Sequence, residues 1–340
     1  MGRATTLLVA SDGGHLTQLR LLVPRIRPEV RAATWTSYDC LTARSALSGE
    51  HMVPGNGPST RHLGNAARNY QLARRILSGG HFDRVVSTGA GIAVRFLVEA
   101  SRRGLEGHYI ESASRVEGPS LSGRLLMRLA PEVHLYTQHA RWADRRWQYA
   151  GSVFEGYSPL QPRTSIPRSL RVLVTLGTHD AYRFDTLLDR VAALMLRDDD
   201  IVWQTGATTG RADLPGRTEH AIPAAEMHEL VAWADVVVAH CGTGTILTAL
   251  EHGKHPVVVP RRHARGEHVD DHQAVTAREV SRLGLARWVE ADQLSRRDLL
   301  DAASSSCGRE SALPFFLSGG QPRNGASQED IVQLPEAVLW

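Results

Sequence analysis

Cysteine is scarce in this chain of 340 residues: Cys40, Cys241 and Cys307 stand far apart, with no CxxC pair. That spacing excludes a disulfide framework and a cysteine-built structural zinc site. Lysine is scarcer still, with Lys254 alone among 39 basic residues. The arginine excess by itself reads as codon usage. No apolar run reaches the roughly 18–20 residues that span a bilayer. The run at 5–10 is too short for a signal-peptide core, so a cytoplasmic protein is expected. Residues 1–6 fit a myristoylation pattern only formally, because Thr6 falls within the first expected strand.

What is present is ordinary for a globular protein: 42% apolar and 22% charged residues. The length exceeds what one core supports, so two domains are expected. The net charge of +3 conceals an asymmetry, because residues 1–155 hold 20 arginines against 12 carboxylates. A basic first half points to an anionic partner: a phospholipid surface, a lipid diphosphate or nucleic acid.

Short β-branched runs alternate with helical periodicity along most of the chain. Strands are expected at 5–10, 84–88, 107–110, 171–175, 201–204, 235–239 and 256–259, most of them followed by a glycine or polar loop and a helix. That rhythm predicts an α/β fold of doubly wound parallel sheets. Pro159, Pro162 and Pro167 mark a linker over 157–170. The expected division is therefore an N-terminal domain over 1–156, a C-terminal domain over 171–303, and a loose tail over 304–340. Ligands of such sheets bind beyond the carboxyl ends of the strands, so the two sets of loops should face one cleft.

The strongest cluster lies at 240–273. A strand delivers the chain to His240, and Gly242, Thr243, Gly244 and Thr245 turn it into a helix whose free N–H groups suit a diphosphate. The long polar loop that follows carries Arg261 and Arg262, positioned to neutralise a diphosphate, and Gln273, able to bond sugar hydroxyls. Asp270 and Asp271 fit helix capping at least as well as ligand contact. His268 and His272 stand four apart, but no third ligand has a convincing spacing, so no metal is expected. The run Asp198-Asp199-Asp200 reads as a solvated turn.

In the first half, Gly13-Gly14-His15 closes a strand and opens a helix. An imidazole there can act as a general base, or simply bond to backbone. Gly89 and Gly91 form a second accessible turn. Glu111 ends a strand, as a second candidate base, an acceptor-hydroxyl ligand or a cap on the next turn. Residues 118–130 combine apolar positions with Arg124 and Arg128. They fit an interfacial amphipathic helix or an ordinary surface helix.

These motifs resemble a known group. Ser11 to His15, Ser87 to Gly91, Tyr109 to Ser112 with Arg115, and Pro119 to Gly123 are similar to the N-terminal half of bacterial exopolysaccharide glycosyltransferases that are usually made as two polypeptides. Leu176, Gly177 and Thr178, Gln204 to Gly206, His240 to Thr245, Thr248 to Glu251, Pro260 to Arg262, and Gly266 to His268 with Asp271 to Gln273 are similar to the other half. The group is related to the eukaryotic two-subunit N-acetylglucosaminyltransferase of dolichol-linked oligosaccharide synthesis and to the MurG family. The resemblance covers roughly residues 5–300 and here joins the halves in one chain.

It implies a GT-B fold, two Rossmann-like domains facing a cleft, and an inverting, metal-independent transferase with a UDP-sugar as co-substrate and no cofactor. His15 and Glu111 are the implied catalytic pair. Gly177, Thr178, Gln204, Gly206, His240, Gly242, Thr243, Gly244, Thr245, Glu251, Arg261, Arg262, Asp271 and Gln273 would bind the donor. Gly13, Gly14, Gly89, Gly91 and Arg115 would bind the acceptor. The implied partners are a lipid-linked saccharide and an anionic membrane surface, with peripheral attachment at its inner face and no nucleic acid. Thr248 stands where MurG has a ribose-binding glutamate, and Glu251 lies almost a turn further on. Tailoring of a soluble or lipophilic natural product, and UDP-sugar epimerisation on a similar fold, stay open.

Overall fold

The computed structural model describes residues 4–317, apart from 27–29, 59–61, 80, 163–167 and 178–181. Thr178, one of the expected donor ligands, therefore lies outside the described residues, as does the tail beyond 317.

The first half contains strands β1 (Ala4–Ala10), β2 (Val30–Tyr38), β3 (Met52–Gly55), β4 (Arg84–Gly89), β5 (Glu106–Ile110), β6 (His134–Thr137) and β7 (Trp147–Tyr149). Its helices are α1 (Gly14–Ile26), α2 (Leu41–Ala46), α3 (Leu63–Ser78), α4 (Gly91–Arg102) and α5 (Leu121–Leu129). All neighbouring strands pair in parallel, in the order β3-β2-β1-β4-β5-β6-β7. Strand β4 is buried along its whole length, as a parallel strand covered on both faces must be.

After β8 (Tyr157–Pro159) the pattern restarts with β9 (Arg171–Thr175), α6 (Asp185–Leu194), β10 (Asp200–Gln204), β11 (Arg217–Glu219), α7 (Ala224–Trp233), β12 (Val236–His240), α8 (Thr243–Glu251), β13 (Val257–Val259), α9 (His272–Arg282), β14 (Arg287–Trp288) and α10 (Arg296–Ser304). This second sheet is also parallel, in the order β11-β10-β9-β12-β13-β14. In each sheet the strand order reverses beside the first strand, between β1 and β4 and between β9 and β12. The crevices open at those two reversals.

Two expectations need correction. The stretch 304–317 is not loose. Strand β15 (Cys307–Arg309) pairs antiparallel with β8, and the chain then runs back over the first domain. Glu310 donates its N–H to the Gly156 carbonyl at 2.8 Å, Phe315 donates to that of Arg25 at 3.1 Å, and Phe315 and Leu317 are buried. Tyr157–Pro159 is accordingly a strand of this crossover rather than plain linker. Nor is Asp199 solvated. Its carboxylate is buried, accepts the N–H groups of Leu170 and Leu196, and pairs with Arg296.

The halves are held by packing as well as by the crossover. A single apolar cluster contains Leu19 and Leu22 of α1 together with Ile246, Leu247 and Leu250 of α8.

Candidate active site

A cavity of about 1660 Å³ lies between the two sheets, lined from one side by Gly13, Gly14 and His15 and from the other by Gly177, Gln204 and His240–Thr245. Each sheet contributes a histidine that bridges its own strand reversal. The His15 Nδ1 lies 2.6 Å from the carbonyl of Thr88, at the end of β4. The His240 Nδ1 lies 3.2 Å from the carbonyl of Thr175, at the end of β9.

A carbonyl can only accept, so His15 donates from Nδ1, and its Nε2 carries the lone pair. Thr88 Oγ1 donates back to the His15 carbonyl at 2.7 Å, fixing the start of α1. Burial holds the His15 imidazole below its ordinary range; the nearby Arg115 acts in the same sense, while the Thr88 bond opposes both. The ring is thus neutral and oriented at physiological pH, as a general base requires. Gly89 makes room for it: at φ +109° only glycine sits easily, and a Cβ there would stand 2.9 Å from the ring.

Across the cavity, α8 begins at Thr243 behind Gly242, which offers no side-chain cap. The first N–H groups of a helix have no intrahelical acceptor. Here they and the positive end of the helix dipole meet the cavity, an arrangement suited to a diphosphate. His240 is wedged between glycines, since a Cβ on Gly177 or Gly242 would come within 2.5 Å or 2.4 Å of its ring. Gln204 accepts from Thr175 Oγ1 at 2.5 Å and donates to the Gly177 carbonyl at 3.1 Å, bracing the same turn. A Cβ on Gly206 would meet the Gly177 carbonyl at 2.4 Å.

The glycines of the two halves touch each other. A Cβ on Gly14 would stand 3.2 Å from the Gly244 nitrogen, and one on Gly244 would stand 3.0 Å from the Gly14 Cα. Gly14 and Gly244 thus let the starts of α1 and α8 abut, which sets the candidate base beside the diphosphate cradle. From sequence these glycines read only as ligand approaches.

Other expected site residues take different roles. Glu111 does not face the cleft. It is 1% exposed, and its carboxylate accepts from Tyr109 Oη at 3.1 Å, Ser112 N–H at 3.1 Å and Ser120 N–H at 2.8 Å. Burial raises its pKa against the pull of those donors. The carboxylate is a clamp between the end of β5 and the start of α5. We expect Glu111→Gln to turn the amide donors toward the Ser120 N–H, costing about 1–3 kcal/mol of stability while kcat stays within a few-fold. A loss of 10²-fold or more in kcat with unchanged denaturation would assign it the base role instead.

Arg261 is 2% exposed. Its guanidinium donates to the carbonyls of Leu176 at 3.2 Å, Tyr182 at 2.9 Å and Arg183 at 3.0 Å, and lies 4.9 Å from the Phe184 ring centroid. Burial lowers its pKa to about 10. It ties Leu176 to Tyr182 and Arg183 and does not line the cavity. Arg262 pairs through two nitrogens with Glu290, which raises its pKa. Asp271 accepts the His263 N–H at 3.0 Å and does not line the cavity. Arg261→Ala should leave three carbonyls without a donor and lower stability by roughly 3 kcal/mol, with any nucleotide affinity of the cavity changed only indirectly. Differential calorimetry and nucleotide titration on the same sample separate this from loss of a phosphate ligand, which would abolish affinity and spare stability.

Gln273 lines the cavity and accepts the Arg261 N–H at 3.0 Å. Glu251 also lines it, but eight residues beyond Thr243, roughly 12 Å along α8. Burial raises the pKa of the Tyr157 phenol, at the crossover, to about 12, and the nearby Glu251 carboxylate acts in the same sense. Gly91 opens α4. Arg115 stands behind His15, outside the cavity lining. Sequence reasoning missed Tyr182, which lines the cavity and stacks on His268 at 5.6 Å between centroids. It also missed Asp270 as the third member of a cluster with His268 and His272.

Residues 171–307 match the family model described as the glycosyltransferase family 28 C-terminal domain. A transferase of Chlorobium phaeobacteroides, "UDP-N-acetylglucosamine--N-acetylmuramyl-(pentapeptide) pyrophosphoryl-undecaprenol N-acetylglucosamine transferase", is 27% identical over 67% of this chain and 66% of its own length, just under two thirds. Among solved structures, MurG of Acinetobacter baumannii shares the fold with a TM-score of 0.54 at 16% identity, over 87% of this chain and 88% of its own. A putative UDP-N-acetylglucosamine 2-epimerase of Listeria monocytogenes does so with 0.60 at 12% identity, over 93% of each chain. At such identities the structures establish the fold, which is GT-B. Both glycosyltransferase and epimerase chemistry therefore occur on this architecture.

Proposed function

We propose that the chain is an inverting glycosyltransferase that moves a hexose-type sugar from a UDP-sugar to a polyprenyl-diphosphate-linked saccharide during surface-polysaccharide synthesis. The observation that carries this reading is the Gly14–Gly244 contact, which sets a neutral, oriented imidazole and an uncapped helix start in one cavity. His15 Nε2 takes the proton of the acceptor hydroxyl. The oxygen attacks the anomeric carbon from the face opposite the nucleotide, and the bond from that carbon to the diphosphate oxygen breaks. The charge developing on the departing UDP is held by the N–H groups at 243–245. The resemblance to MurG-type enzymes supports the donor class and the lipid-diphosphate acceptor, and the chemistry needs no metal.

The donor half of the reading is tested by thermal shift with UDP-GlcNAc, UDP-glucose, UDP-galactose, UDP-glucuronate and dTDP side by side. A uridine nucleotide should stabilise the protein and dTDP should do so less. No stabilisation by any uridine nucleotide would refute it.

Helix α5 supports the acceptor half. Leu121, Leu125 and Leu129 recur every four residues on one exposed face, 71%, 38% and 55% exposed, beside Arg124 and Arg128. Such a stripe suits the boundary of an anionic bilayer. Among the described residues, no helix is long and apolar enough to cross one. Replacing all three leucines with Ser should abolish co-sedimentation with anionic lipid vesicles and leave UDP binding unchanged. Retained sedimentation would move the membrane contact elsewhere.

The alternative reading is a UDP-sugar 2-epimerase, favoured by the 0.60 TM-score to the Listeria structure. It predicts release of an isomerised UDP-sugar with no acceptor present.

A further inference from the structure

We propose that His268, Asp270 and His272 form a three-ligand site for a zinc-class divalent cation at the mouth of the donor cavity. The three residues offer ligand atoms that all lie within 4.8 Å of one another. They come from five successive positions in the turn that opens α9, and His272 lines the cavity. Both imidazoles present Nδ1 to the same carboxylate oxygen. His268 Nδ1 stands 3.4 Å from Asp270 Oδ1, and His272 Nδ1 bonds to that oxygen directly.

Tetrahedral zinc with bonds of about 2.0–2.1 Å separates its ligand atoms by roughly 3.3 Å. The His268–Asp270 spacing already matches. The His272–Asp270 hydrogen bond must open by rotation of two partly exposed side chains, displacing the proton it holds.

Hydrogen bonding alone accounts for half of this arrangement. His272 satisfies Asp270 Oδ1, and the backbone N–H of His272 approaches the same oxygen at 3.3 Å. His268 Nδ1 accepts the Asp270 N–H only at 3.4 Å, longer than an ordinary hydrogen bond, and a cation at Nδ1 would replace that contact. The Nδ1 lone pair and the carboxylate oxygen are both acceptors. A cation between them would draw on both and would serve the second imidazole as well.

The frame is set in advance. His268 stacks on Tyr182, its carbonyl lies 3.1 Å from His263 Nδ1, and Asp271 pins the His263 N–H. Two imidazoles with one carboxylate favour zinc, cobalt, nickel or copper over magnesium or calcium. Three protein ligands leave a fourth position for water or for an anionic oxygen in the cavity. The site does not depend on the transferase reading, because its occupancy is measured without turnover.

The test uses the full chain without a histidine tag, stripped with chelator and titrated with Co²⁺ and then Zn²⁺. One equivalent of Co²⁺ should develop visible d–d absorption, and one equivalent of Zn²⁺ should bleach it. Asp270→Asn and His272→Ala should each weaken Zn²⁺ by calorimetry at least about tenfold, with unchanged thermal unfolding of the metal-free protein confirming the fold. The His228–His252 pair, 2.9 Å apart, is the competing two-histidine site; His252→Ala should leave the stoichiometry intact. Absence of stoichiometric binding, or binding that survives Asp270→Asn and His272→Ala or is lost with His252→Ala, would overturn the proposal.

Discussion

Replacing His15 with alanine is expected to lower kcat by about 10²–10⁴-fold, the range for a lost general base, with UDP affinity within a few-fold of the parent. The expectation rests on geometry. Nδ1 is committed to the Thr88 carbonyl at 2.6 Å, which leaves Nε2 as the proton acceptor beside the cradle. The N–H groups at the start of α8 belong to the backbone and stay in place in the variant, so nucleotide binding should survive. The pH profile adds an independent check. The base acts only when neutral, and burial places its pKa below 6.5. The acid limb of kcat/KM should therefore fall below pH 6.5, with a flat rate through neutrality. His15→Ala should remove that limb. If His15→Ala retained near-normal turnover, the base would have to be another group, and the buried, fully bonded Glu111 is poorly placed to be it.

The second large effect concerns Gly244. An alanine there places a Cβ 3.0 Å from the Cα and 3.2 Å from the nitrogen of Gly14. Both neighbours are backbone, so neither can rotate away, and the two helix starts must give by a few tenths of an ångström. A displacement of about 1 Å between reacting groups costs on the order of 10²-fold. We expect Gly244→Ala, with its smaller shift, to lower kcat/KM several-fold and the bulkier Gly244→Val to approach that order, while each domain stays folded. Gly14→Ala, at 3.2 Å from the Gly244 nitrogen, should act in the same direction. Gly64→Ala, which meets nothing within 4 Å, is the control and should be silent. Parent-like activity in Gly244→Ala would show that the contact does not set the productive spacing.

The parts of this molecule that were legible in the sequence are those written in local chemistry. Val236–Val238 and Arg171–Thr175 read as buried parallel strands because their runs are short, β-branched and stopped by glycine or polar turns. The same breakers marked both cavity loops, so the two α/β halves and the two sides of the site followed from periodicity, while the GT-B arrangement was implied by the resemblance. What remained hidden depends on partners far away in the chain. Arg261 and Arg262, two arginines in a polar loop, resemble anion ligands until Leu176, Tyr182 and Glu290 supply their actual partners. Glu111 ends a strand in the expected place, but the turn at Ser120 folds back over it. Strand β15 is three residues with a central glycine, too short to carry a period, and is defined only by its pairing with β8. Asp270 stands between His268 and His272 in the sequence but reads there as a helix cap, and the turn before α9 gathers the three side chains within 4.8 Å.

The most direct test of the central claim follows a labelled sugar from the stabilising UDP-sugar in the presence and absence of a polyprenyl-diphosphate-linked saccharide. The account predicts label in the lipid fraction with an inverted linkage, one UDP released per transfer, and neither product without acceptor. Release of an isomerised UDP-sugar without acceptor, and no label in the lipid, would contradict it.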